Sequence, residues 1–133
     1  MNNTMQNYNI YYILSNIYFI FIIEPLGEWC IHNCLHIINN KIHNNHHINY
    51  SKHIVSPELW PLLFTILTFY YNYIYLSLGF LKYWLFHTII HFKPELLPEL
   101  ATHHLLHHKK QKYNYCVSAI WPDKLFNTYR NNC

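Results

Sequence analysis

Ten of the twelve histidines fall into four clusters of fixed spacing. The first is His32-Asn-Cys-Leu-His36 and the second is His43-Asn-Asn-His46-His47. The third is His87-Thr-Ile-Ile-His91 and the fourth is His104-Leu-Leu-His107-His108. On a helix, residues three and four apart share a face, so an HxxxH pair aims two imidazoles one way and an HxxHH box aims three. Neutral imidazole ligates iron, zinc, copper and nickel. One such cluster arises readily in a chain rich in His and Asn, but HxxxH, HxxHH, HxxxH, HxxHH in that order does not. The spacing makes the four clusters candidate metal-binding boxes. His53 and His103 are left over. Cys30 and Cys34 are offset by two residues from the first pair, about 200° around a helix, and are expected to face away from it.

Other chemistries lack their residues. There is no HExxH zinc-protease motif. With glycine only at 27 and 79, no phosphate-cradling loop can form. Six carboxylates (Glu24, Glu28, Glu58, Glu95, Glu99 and Asp123) are too few for a carboxylate-bridged di-iron bundle. Four cysteines form no CxxC pair and read as reduced thiols. The formal charge is only +3, with one arginine and no basic stripe, which argues against nucleic-acid binding.

Charged residues make up 11% of the chain against the ~25% usual for soluble domains, while hydrophobic residues make up 52% and aromatics 19%. That balance points to a membrane. The first apolar segment, Ile10 to Ile23, approaches a bilayer span, and Glu24-Pro25-Leu26-Gly27 is expected to break it. No Lys or Arg precedes this run, which argues against a secretory signal. The second apolar region, residues 59–86, is interrupted near Asn72. Two arms of this size would reach only about 16 to 20 Å, so a turned-back hairpin fits better than a crossing. Lys41 and Lys52 before this region, and the remaining basic residues within its second arm or after it, place both sides on one face, the cytosol. The fold expected is all-α and integral to the membrane, built of short transmembrane or re-entrant helices with the histidine clusters on the cytosolic face. Residues 1–27 form the tail and first membrane segment, and residues 28–133 the histidine domain with its hairpin.

The stretch EWCIHNCLH…KIHNNHH, followed by HTIIH…THHLLHHKKQKYNYCVSAIWPDKLFNT, resembles the fatty acid hydroxylase superfamily of membrane histidine-box oxygenases over residues 28–128. The ten-histidine order is most similar to its fatty acid 2-hydroxylase branch, and sterol desaturases share parts of it. The resemblance implies a cytosolic, histidine-rich helical cap that holds a dimetal site on the ten histidines, with iron as the expected metal and zinc as the alternative in a purified form. It implies a lipid substrate, hydroxylated or desaturated with dioxygen, and electrons from a separate b-type cytochrome and its reductase in the endoplasmic reticulum. Trp121 and Asp123 lie in the family's Trp-Asp ending and are candidates for supporting the ligands from outside. The chain departs from the family pattern at Asn33, Cys116, Pro122 and Asn127. The competing expectation is a non-catalytic, His-rich membrane metal-binding protein or an inactive relative.

Overall fold

The computed structural model describes residues 3–49 and 59–131, with side chains from Ile10 to Ile48 and from Leu59 to Asn131. His53 and Cys133 lie outside them. Every regular element among the described residues is a helix.

Helix α1 (Asn3–Tyr18) runs through a π-helical turn (Phe19–Ile23) directly into α2 (Glu24–Ile37). The break expected at Glu24–Gly27 does not occur, and the backbone passes residue 27 without a boundary. A proline inside a helix lacks an N–H and crowds the carbonyl one turn before it. Here the preceding turn is widened instead, with the Glu24 N–H bonded five residues back to the Phe19 carbonyl. The next carbonyl in that wide ladder, Ile20, would need the N–H that Pro25 lacks. It accepts from Lys82 Nζ at 3.0 Å. The same ammonium pairs with the Glu24 carboxylate at 2.5 Å, so neither buried charge stands alone. The stretch Ile10–Ile37 is the one helix among the described residues long and apolar enough to cross a membrane. Its 28 residues span about 42 Å, more than the ~30 Å of a hydrocarbon core, so the apolar anchor and His32 and His36 ride on one rod.

The second apolar region turns back on itself. Helix α4 (Leu59–Tyr70) meets α5 (Ile74–Phe92) at a turn centred on Asn72. Trp60 packs on Phe80 and Tyr83, Phe64 packs on Phe80, and Ser77 Oγ donates to the Thr65 carbonyl at 3.0 Å. The second arm continues beyond Phe86 to Phe92, so His87 and His91 stand on the arm itself. A 3-10 turn (Pro94–Leu96), α6 (Pro98–Lys109), an irregular loop and the short α7 (Trp121–Leu125) complete the chain. The aliphatic core is small, essentially Ile90, Ala101 and Val117. Most other buried groups are polar, and imidazoles dominate the polar ones.

Asparagine ends three of the helices. Asn39, Asn72 and Asn127 follow α2, α4 and α7 with φ of 53°, 61° and 57°. Each sits in a Schellman motif: Asn40 N–H to Leu35 O at 3.0 Å, Tyr73 N–H to Thr68 O at 2.8 Å, and Thr128 N–H to Asp123 O at 2.8 Å. This left-handed backbone is usually given to glycine, and asparagine is the side chain that tolerates it best. Asn72→Gly is expected to leave the unfolding midpoint in detergent unchanged or slightly raised. Asn72→Val should destabilise by about 1–2 kcal/mol, the cost of forcing a β-branched residue left-handed. Circular-dichroism melts of both variants check this.

Candidate metal centre

The Asn39-Asn40 turn builds half of the site. Asn39 closes α2, and Asn40 Oδ1 accepts the amides of Ile42 and His43 at 3.0 and 3.1 Å, capping α3 (Lys41–Asn49). The turn is so tight that α3 doubles back on α2, bringing His43 and His47 onto His32 and His36. Prolines shape the matching corner. Pro94 and Pro98 each open a helix in the first turn, where the missing N–H is not needed, and α6 returns along α5. His104 and His108 thereby meet His87 and His91.

All ten histidines converge, in two groups of five. One holds His32, His36, His43, His47 and His107, and the other holds His46, His87, His91, His104 and His108. Within each group, one ring nitrogen from each histidine lies within 4.8 Å of the others. Nε2 faces Nε2 at 3.0 Å for His36–His43, His43–His47, His87–His104 and His104–His108, and at 3.1 Å for His36–His107 and His87–His91. The groups adjoin, with the His47 and His108 rings 4.6 Å apart.

The HxxHH boxes do not aim all three imidazoles at one point, as their spacing suggests. At 100° per residue, the fifth position lies 40° past a full turn and the fourth lies 60° short of one, so they diverge by about 100°. His43 and His47 therefore join the first group while His46 enters the second. His104 and His108 join the second while His107 enters the first. Each group takes one histidine from the other half of the chain.

The loop after α6 sets the ring orientations. The Tyr113 carbonyl stands 2.6 Å from His107 Nδ1, and the Tyr115 carbonyl contacts His32 Nδ1. A carbonyl only accepts, so both rings carry their proton on Nδ1 and turn an Nε2 lone pair into the group. His32 Nε2 is buried without a hydrogen-bond partner among the described residues. A cation satisfies such an arrangement. Two imidazoles bound to one ion at about 2.1 Å bring their nitrogens roughly 3.0 Å apart at right angles, the spacing found here. The donor set thus fits a metal in each group.

Asp123, the sole aspartate, holds that loop. Its carboxylate accepts from the amides of Tyr115 at 2.8 Å and Cys116 at 2.9 Å, from Thr128 Oγ1 at 2.6 Å and from His103 Nε2 at 3.0 Å. Burial alone would raise its pKa, but the hydrogen bonds from His103, Thr128 and Cys116 outweigh that and hold it below the usual value. His103 lies outside the HxxHH frame, so box spacing overlooks it. The hint available was that it directly precedes a box in a chain with one Asp. Glu28 fastens the same loop to α2, accepting from the amides of Val117 and Ser118 and from Ser118 Oγ at 2.7 Å. Trp29 adds a bond to Thr128 Oγ1 at 3.0 Å and stacks on Phe126. Trp121 opens α7 and lines a separate cavity with Phe21, Lys82 and Phe86.

The departures from the family pattern have local accounts. Asn127 occupies a left-handed position that suits asparagine as well as glycine. Pro122 sits in the first turn of α7, where proline is tolerated. Cys116 does not adopt a positive φ, and its buried thiol lies 3.6 Å from the Pro25 carbonyl. Asn33 is half-buried and belongs to neither group. Cys30 and Cys34 are exposed free thiols, turned away from the imidazoles as expected.

An apolar cavity of about 530 Å³ opens beneath the histidines. His32 and His43 of one group and His46 and His87 of the other border its head, and it descends between α2 and α5 to Phe19, Ile23 and Leu76. Its volume falls within the range of small-molecule sites.

A family model described as fatty acid hydroxylase matches residues 17–128, most of the chain. Comparison with curated proteins gave no match, and comparison with solved structures gave none.

Burial, followed by the neighbouring imidazoles, pushes His43 down to about 4, and burial pushes His107 down to about 3. Burial also lowers His104 strongly. The folded, metal-free chain therefore keeps these rings neutral below pH 6.5, where the unfolded chain takes up protons. Stability of the metal-free protein should be level above about pH 6.5. It should fall progressively as the pH drops toward 4. Unfolding followed by tryptophan fluorescence in chelator checks this, and a flat profile across that window would contradict it.

Proposed function

The chain belongs to the fatty acid hydroxylase family, and on that premise we propose that it is a membrane-bound dimetal oxygenase. Its proposed reaction is hydroxylation or desaturation of a lipid acyl chain or sterol with dioxygen. The observation that carries this reading is the convergence of ten box histidines in two groups at the head of one apolar cavity.

The proposed ligands are His32, His36, His43, His47 and His107 for one metal and His46, His87, His91, His104 and His108 for the other. Iron is the proposed metal, because imidazole suits it and the reaction needs a redox-active ion, which zinc is not. Bound there, the metals supply activation of dioxygen and oxidation of a C–H bond. The chain's own residues do the positioning. The Tyr113 and Tyr115 carbonyls keep the His107 and His32 lone pairs facing inward. Asp123, His103 and Thr128 hold the loop that carries those carbonyls. The apolar walls, Phe19, Ile23, Leu76 and Phe80 among them, exclude water and would hold the lipid tail. Hydroxylation places one oxygen atom on the substrate and reduces the other to water, which takes two electrons and two protons from outside. No flavin, haem or nicotinamide motif is visible in the sequence, so the proposed donor is a separate b-type cytochrome with its reductase. The rod Ile10–Ile37 supports a membrane location. The basic residues flanking the hairpin favour the histidines toward the cytosol, and the endoplasmic reticulum is the membrane proposed from the family.

Purified protein should carry two irons per chain and, given reductant, convert an added lipid to a hydroxylated or desaturated product. One zinc per chain and no product would support the metal-binding alternative instead. The exchange of His46 and His107 makes a sharper expectation. His46→Ala together with His87→Ala should lose one metal, because both serve one centre. His46→Ala together with His36→Ala should lose both. Elemental analysis of the two double variants distinguishes these outcomes.

A further inference from the structure

The chain has two glycines, and both lie inside helices, where glycine is less favourable than alanine. At Gly79 the reason is steric. A Cβ there would lie 2.9 Å from Glu24 Cγ, so α5 reaches the long rod only because that atom is missing. At Gly27 no such reason exists. Its φ is not positive, and an added Cβ would meet nothing within 4 Å.

What Gly27 borders is the apolar cavity. Ile23, Gly27, Ile31 and Leu35 recur every four residues on one face of the rod, and all four line it. Gly27 is the gap in an otherwise continuous apolar ridge. It stands about 7.5 Å along the helix from His32, on the way to the far end at Phe19 and Leu76. Gly79 and Phe80 of α5 also line the cavity.

We propose that Gly27 determines substrate specificity: its missing side chain leaves the passage through which an extended acyl tail reaches the far end of the cavity, and so sets the longest tail accepted. This rests on the cavity being the lipid site of the proposed oxygenase.

Full-length protein in detergent, with and without metal, is titrated with medium-chain and long-chain saturated acyl probes by fluorescence displacement. Gly27→Leu is expected to weaken long-chain binding by about tenfold, the equivalent of 1.4 kcal/mol. Medium-chain affinity and metal content should be retained. Gly27→Ala, which fills open space with a better helix former, should shift the preference in the same direction but less. Should Gly27→Leu fail to fold, the alanine variant decides. Unchanged long-chain affinity in a folded variant overturns the inference, and so does an equal loss for both lengths. If the wild-type protein binds neither probe, the lipid-site reading itself falls, and this inference with it.

Discussion

Ring nitrogens facing one another at 3.0 Å are the constraint on which this molecule turns. Burial disfavours protons on rings packed so closely, and it lowers the pKa of His43, His104 and His107. A neutral ring has a single N–H, and His32 and His107 spend theirs on backbone carbonyls. Inward lone pairs so placed suit a bound cation. The part of the protein that would ordinarily be an aliphatic core is therefore a receptacle, and the small group of Ile90, Ala101 and Val117 is too slight to replace it.

The surrounding elements serve that receptacle. Tight stops at Asn39 and Asn72 fold each helix back on its predecessor. The widened turn before Pro25 lets the rod continue where proline would otherwise bend or end it, so the first pair of histidines stays aligned with the apolar stem. Lys82 completes that solution by occupying the Ile20 carbonyl and neutralising Glu24 at once. Asp123 and Glu28 each draw amides of one loop inward, and that loop sets the tautomers of His32 and His107.

Much of this was legible in sequence. The four boxes, the reversal at Asn72 and the outward cysteines follow from spacing and composition, and the family likeness was carried by the motifs around the boxes. Three things did not. The rod through Pro25 escaped because a π turn depends on a lysine far along the chain, which no local pattern reveals. The division of each HxxHH box escaped because same-face arguments treat positions four and five as equivalent, when they differ by about 100°. The asparagines looked like compositional bias until their backbone angles were known. In a chain with two glycines, both committed to helix interiors, asparagine takes the left-handed positions.

The exchanged histidines also bear on how such a protein could be divided. His107 completes the first group and His46 the second, so the halves before and after the hairpin are clasped rather than merely adjacent. A chain cut after α5 would forfeit His107 from one group and His104 and His108 from the other. Neither half alone supplies all five histidines of either group, so the two halves stand or fall together as a receptacle.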